Sequence, residues 1–286
     1  MSEGSAMSVG VVGAGTMGAG VAECLAQAGH DVIVVDPDPR AVEQARSRMR
    51  DSLRLAILLG RAGGPKPAEA AARVHWTGQL TDLRHAAVVI ECVPERIDLK
   101  EKVFAELDRV CAPDALLASC TSGIPVDRLA ASTTRPEQVV GLHFMNPAPL
   151  KDTVEVVRGP RTSPQSLDRA LTLLATLDKT GIVVGDGPGF LLNRVLMLCI
   201  AEAATALGDG IADADTTDAL FEGCLGHPMG PLRTADLIGL DNVHDTMTAL
   251  RELTGDDHYR PPESLVALVE AGHLGRKTGR GFHEYR

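Results

Sequence analysis

The chain has 286 residues, of which 44% are hydrophobic and 23% charged, the balance of an ordinary globular protein with room for two domains. Its net charge of −10 argues against a nucleic-acid backbone or an anionic membrane surface as the main partner. Aromatic residues amount to only 3%, so the core has to be aliphatic.

Six cysteines, at positions 24, 92, 111, 120, 199 and 224, form no C-x-x-C pair and no regular spacing. Most lie in apolar runs, where a thiol packs as a small hydrophobe, and no metal site is expected. The opening stretch MSEGSAMSVG lacks the basic and apolar regions of a signal peptide. No apolar run approaches the roughly 20 residues that span a bilayer. The expectation is a cytoplasmic protein.

The first two-thirds alternate between two periodicities. SVGVV and DVIVVD are β-branched runs separated by the helical TMGAGVAECLAQAG. A long helix is predicted from about Arg40 to Leu59, followed by the loop GRAGGPKP. Further strands are predicted in AAVVIECV, ALLASC, VVGLHF, TVEVV and GIVVG, with helices in DLKEKVFAELDRVC and PQSLDRALTLLATLD between them. Strands alternating with helices imply parallel pairing in a doubly wound sheet. Past the Gly-Pro-Gly at 187–189 only helical periodicity remains. The expected architecture is therefore α/β: a Rossmann-type, mostly parallel sheet over residues 1–187, then an all-α domain over 188–286.

Gly13, Gly15 and Gly18 stand in G-x-G-x-x-G spacing directly after a strand and at the start of a helix. Such a turn lets the backbone approach a pyrophosphate, which then sits on the free N–H groups of the helix N-terminus. Thr16 and Met17 fall inside this turn. Asp36 ends the second strand, where a carboxylate binds both ribose hydroxyls of NAD. Arg40 comes four residues later, so the order favours NAD over NADP.

His143 closes the apolar run VVGLHF at the C-terminal end of a predicted strand, the edge at which open α/β sheets bind ligands. Glu155 lies in the next strand, beyond NPAPL. A neutral imidazole suits removal of a hydroxyl proton, and a carboxylate on its far nitrogen fixes the tautomer. His30, His75, His85, His227, His244, His258, His273 and His283 read as structural or solvated.

GLHFMNPAPL with VEVV, ASCTSG, PGFLLNR, GHPMGPLRTADLIGLD and GRKTGRGF, together with the glycine turn, occur in order from Val9 to Tyr285. In this the chain resembles the 3-hydroxyacyl-CoA dehydrogenase (3-hydroxybutyryl-CoA dehydrogenase) family. The resemblance implies NAD-dependent oxidation of a 3-hydroxyacyl thioester, with His143 as the base and Glu155 as its partner. It implies substrate contacts from Ser122 and Asn193. Cofactor contacts are implied for Glu95, Lys100, Ser122, Asn146 and Lys277, although Lys100 and Lys277 also read as solvated surface charges. A homodimer built on the helical domain is implied as well.

Two departures stand out. Cys120 occupies a position where the family usually has Asn. The helix after strand two, SLRLAILLGRAGGPK, lacks the Lys-rich segment that meets CoA phosphates, leaving Arg54, Arg61 and Lys66 scattered. The short loop there and the wording of GHPMGPLRTADLIGLD resemble relatives in polyketide extender-unit pathways, which oxidise a glyceryl-type unit on an acyl carrier protein. The thioester partner is thus either an acyl-CoA or an acyl carrier protein. A third reading is a structural NAD-binding protein without turnover.

Overall fold

The computed structural model describes residues 6–58 and 66–285, with side chains from Ala56 to Leu58 left aside. Arg61 lies outside the described residues. The chain divides into two compact units, Met1–Gly187 and Pro188–Arg286.

The first unit is built on eight strands: β1 (Ser8–Val12), β2 (Asp31–Val35), β3 (Val74–Thr77), β4 (Val88–Glu91), β5 (Leu116–Ser119), β6 (Val139–Phe144), β7 (Thr153–Arg158) and β8 (Thr180–Gly185). Their order across the sheet is β3-β2-β1-β4-β5-β6-β7-β8. The helices are α1 (Thr16–Gln27), α2 (Pro39–Leu58), α3 (Pro67–Ala72), α4 (Ile97–Val110), α5 (Val126–Ala130) and α6 (Pro164–Thr176). The sequence shows why α6 starts where it does: the Ser163 hydroxyl accepts the Ser166 amide, and Pro164 takes the first helical position, where no N–H is needed.

The inner strands read as continuous apolar runs because both of their faces are covered. Val9, Val11, Val88, Ile90, Leu116 and Ala118 face the cluster beneath α1. The alternate residues Val89 and Leu117, with Phe104 and Leu107 of α4, are also fully buried. The scarcity of aromatics is met by Val, Leu, Ile and Ala, as expected.

All adjacent strands run parallel except β6 and β7, which are antiparallel. The sheet is thus mostly parallel, as expected, and its one antiparallel pair has a physical cause. The connection from 145 to 152 contains only a single 3₁₀ turn at Ala148–Leu150, too short for the crossover of a dozen or more residues that parallel pairing needs. The short strand β3 was not anticipated; VHWT is too brief and too polar to stand out.

The second unit is helical: α7 (Leu192–Gly208), α8 (Ala214–Leu225), α9 (Pro231–Ile238), α10 (Leu240–Thr254) and α11 (Glu263–Glu270). Its core joins Met197, Ile200, Leu240, Val243, Met247, Leu250, Tyr259 and Leu265. Two buried carboxylates organise the rest. Asp218 accepts the Leu232 and Arg233 amides at the start of α9 and pairs with His283. Asp236 accepts the Phe282 and His283 amides and the Tyr285 hydroxyl. A Cβ on Gly230 would collide with Asp218 and one on Gly281 with Asp236. These glycines of GHPMGP and GRGF are thus packing requirements. His283 is structural, as expected.

Candidate active site

The strand order places β1 beside β4, with the chain leading on to β2 and β3 on one side and to β5 and β6 on the other. This is the switch point at which a doubly wound sheet opens a crevice beyond its C-terminal strand ends. Most of the residues singled out in the first unit gather at that edge.

The glycine turn joins β1 to α1. Gly13 has φ +102° and a Cβ there would stand 2.7 Å from the Cys92 carbonyl oxygen. A Cβ on Gly18 would collide with the Gly13 carbonyl oxygen. Gly15 is different: it has ordinary extended backbone, φ −69°, and a Cβ would meet nothing within 4 Å. The turn therefore needs Gly13 and Gly18 for its own packing, whereas Gly15 opens onto space at the N-terminus of α1. That space and the helix N–H groups fit a pyrophosphate. Thr16 is exposed and Met17 half-buried in the first turn of α1.

Asp36 follows β2 and braces the turn, accepting the Ala14 amide at 2.8 Å with one oxygen and the Asp38 amide at 2.9 Å with the other. Arg40 turns to Asp38 and leaves no positive group beside Asp36 among the described ion pairs. A carboxylate acceptor with no cation beside it suits the ribose hydroxyls of NAD.

Beyond β4 and β5 lies a polar network that sequence reading found only in part. Glu91, fully buried at the end of β4, accepts the Lys100 ammonium at 2.8 and 3.1 Å, the Ser119 hydroxyl at 2.7 Å and the Val93 amide at 2.7 Å. Lys100, only 1% exposed, also pairs with Glu95 at 3.3 Å. Burial works against its charge, but Glu91 and Glu95 outweigh this and hold its pKa above the usual lysine value. Glu95, half-exposed, accepts the Ser122 amide at 2.9 Å and the Thr121 hydroxyl. A lysine expected as either a cofactor contact or a solvated charge is thus a buried strut. Glu91 and Thr121 were missed, since a carboxylate within VVIECV reads as the solvated end of a strand. The signal was Glu91 and Lys100 at a spacing of nine, bridging a strand end to a helix.

His143 and Glu155 meet across β6 and β7, where the register pairs them directly. The His143 Nδ1 and a Glu155 carboxylate oxygen are 2.8 Å apart, and both side chains are buried. Asn146 is exposed just past β6, and Ser122 is exposed in the loop after β5.

Asn193 and Lys277 belong to the second unit. Asn193 is half-buried in the first turn of α7. Lys277 is exposed and pairs with both carboxylate oxygens of Asp241, at 2.5 and 2.6 Å. Arg54 and Lys66 are exposed.

A glycine turn at the switch point, an acidic residue after β2 and a histidine–carboxylate pair on the same sheet are features that an NAD-dependent oxidoreductase would use. Comparison with known proteins makes this specific. Residues 8–187 match the NAD binding domain of 3-hydroxyacyl-CoA dehydrogenase, and residues 189–285 match its C-terminal domain. The chain belongs to this family.

A probable 3-hydroxybutyryl-CoA dehydrogenase of Bacillus subtilis is 40% identical over 275 residues, covering 96% of each chain. A 3-hydroxybutyryl-CoA dehydrogenase of Bradyrhizobium diazoefficiens is 40% identical over 278 residues, covering 97% of this chain and 95% of its own. Among solved structures, FadB2 of M. tuberculosis superposes with a TM-score of 0.94 at 40% identity, covering 98% of this chain and all of its own. The (S)-3-hydroxybutyryl-CoA dehydrogenase PaaH1 of Ralstonia eutropha gives 0.92 at 38%, covering 99% of this chain and all of its own.

Proposed function

We propose that this protein oxidises a short 3-hydroxyacyl-CoA thioester, such as 3-hydroxybutyryl-CoA, to the 3-oxoacyl thioester, with His143 as the base and Glu155 as its partner. The observation that carries the reading is the buried 2.8 Å contact between His143 Nδ1 and Glu155. With Nδ1–H donating to the carboxylate, the ring's lone pair is on Nε2, the atom that takes the C3 hydroxyl proton. Glu155 then stabilises the imidazolium that forms. NAD, when bound, supplies the acceptor for the C3 hydride.

Gly13, Gly15, Thr16, Met17 and Gly18 would hold the pyrophosphate and Asp36 a ribose. Glu95, Asn146 and Lys277 are further cofactor contacts in this reading. Lys100 supports Glu95 from beneath, which its burial favours over direct contact. Ser122 and Asn193 would donate to the reacting oxygens, where charge develops on the way to the ketone. The reverse reaction uses His143 as the acid.

The CoA ester is favoured over a carrier-protein thioester because relatives aligned along nearly the whole chain are named for it. The second unit is proposed to carry substrate contacts and a homodimer interface, supported by Val195 and Leu198 of α7 and Leu220 and Leu225 of α8, all exposed leucine or valine side chains. Among the described residues no helix is long and apolar enough to cross a membrane, in keeping with a cytoplasmic enzyme. The test is NADH formation on 3-hydroxybutyryl-CoA beside a 3-hydroxyacyl and a glyceryl carrier-protein thioester. Turnover of the CoA ester is expected; turnover of a carrier thioester alone would contradict it.

A further inference from the structure

Cys92 and Cys120 are the first residues beyond β4 and β5. The register pairs Glu91 with Ser119, so the two cysteines are lateral neighbours one step further on. Backbone bonding continues through them: the Cys120 amide donates to the Glu91 carbonyl at 2.8 Å and the Cys92 amide to the Val12 carbonyl at 2.7 Å. Alternation directs both side chains to the face of Ile90 and Ala118, and both join the apolar cluster beneath α1. Neighbouring strands lie about 4.8 Å apart, inside the range of about 4.4–6.8 Å over which two Cα atoms accept a disulfide.

These thiols differ from the chain's other buried ones. Burial pushes Cys24 up to about 12 and Cys111 up to about 11, and also raises Cys199. Cys120 is instead lowered: the neighbouring Cys92 thiol favours its thiolate, and the Phe144 amide and the Lys100 charge add to this against burial and the Glu91 charge. The same neighbour, with burial, holds Cys92 well above the usual thiol value. Such asymmetry makes one sulfur the nucleophile and the other the resolving partner.

The pair also sits directly behind the cofactor turn. The Cys92 carbonyl oxygen lies 2.7 Å from where a Gly13 Cβ would be, and the Cys92 Cβ 3.5 Å from where a Gly18 Cβ would be. Cys92 therefore packs directly against the turn.

We propose that Cys92 and Cys120 are a dithiol oxidation site that a hydroperoxide closes to a disulfide, and that closure weakens the hold of the glycine turn on NAD. The second part rests on the reading of Gly13 to Gly18 as the cofactor cradle. The Cys120 thiolate attacks a peroxide oxygen, the O–O bond breaks, and the leaving oxygen departs after protonation as water from hydrogen peroxide or as an alcohol from an organic hydroperoxide. The resulting sulfenic acid is attacked by Cys92, which loses its proton as the S–S bond forms and the sulfenic oxygen leaves as water. Two thiols lose two electrons in total, and the peroxide takes both.

The test treats the full-length protein with hydrogen peroxide, alkylates the remaining thiols, and maps the products by non-reducing peptide mass spectrometry. Fragmentation must separate Cys120 from Cys111, which shares its tryptic peptide. NADH binding is measured on the same samples before and after dithiothreitol. The expected result is a Cys92–Cys120 link, NADH affinity lower by about tenfold or more, the scale on which sub-ångström to ångström misplacements act, and recovery on reduction. Cys120→Ser and Cys92→Ala should each bind NADH like the untreated protein and keep that affinity through peroxide treatment. Absence of the link, a link that leaves NADH affinity unchanged, or equal loss in both variants would overturn the proposal. NADH binding by the reduced protein tests the cofactor reading separately.

Discussion

At Lys100 one buried ammonium balances the fully buried Glu91 and the half-exposed Glu95. Removing one partner of such a pair leaves an uncompensated buried charge. Lys100→Met is therefore expected to cost ~3–5 kcal/mol, against less than ~0.5 kcal/mol for a solvated lysine; urea denaturation without cofactor measures the difference. A second residue-scale test concerns Glu23, buried in α1, whose carboxyl is pushed up to about 7 by burial, opposed by the hydrogen bond from Ser52. The folded protein then keeps a proton that the unfolded chain, with its carboxylate near 4.5, releases earlier. Stability from this group is greatest below about pH 4.5 and falls as the pH rises towards about pH 7. Glu23→Gln should accordingly raise the Tm at about pH 8 and change it little at about pH 5. An equal shift at both values would mean that Glu23 is ionised throughout.

At the scale of elements, the glycine turn separates space needed by the fold from space left for a ligand. Gly15→Val should leave thermal stability within about 0.5 kcal/mol of the parent, as for a surface position, while abolishing measurable NADH binding. Gly18→Ala should destabilise the protein itself, because its methyl group meets the Gly13 carbonyl. If Gly15→Val bound NADH normally, the pyrophosphate would have to lie elsewhere. The glycine turn after β1, the position of Asp36 after β2 and the alternating strands were legible as elements of the fold, because each depends on local spacing. The pairing of His143 with Glu155 was legible only as a possibility, for it depends on β6 and β7 being antiparallel. That follows from the brevity of the 145–152 connection, a property of chain length that apolar periodicity does not report. Glu91 and the burial of Lys100 were hidden for a related reason: a charge is buried by its partners, and those partners lie on β4, β5 and α4.

At the scale of the whole molecule, the division into two compact units and the family match to both give this chain a cofactor domain and a helical domain. The break was readable at Gly187, Pro188 and Gly189, where strand periodicity ends. The helical unit leaves Val195, Leu198, Leu220 and Leu225 exposed, side chains that the proposed dimer interface on α7 and α8 would cover. Light scattering is expected to give twice the chain mass, and Val195→Glu with Leu220→Glu to reduce it to the monomer; an unchanged dimer would move the interface away from α7 and α8. In the proposed mechanism the chemistry turns on one histidine, His143. The most direct measurement is the turnover of 3-hydroxybutyryl-CoA by His143→Gln, with NADH affinity determined on the same preparation. Turnover should fall by ~10²–10⁴-fold, the scale of a positioned acid or base, with NADH affinity essentially unchanged. Turnover equal to that of the parent would contradict the account.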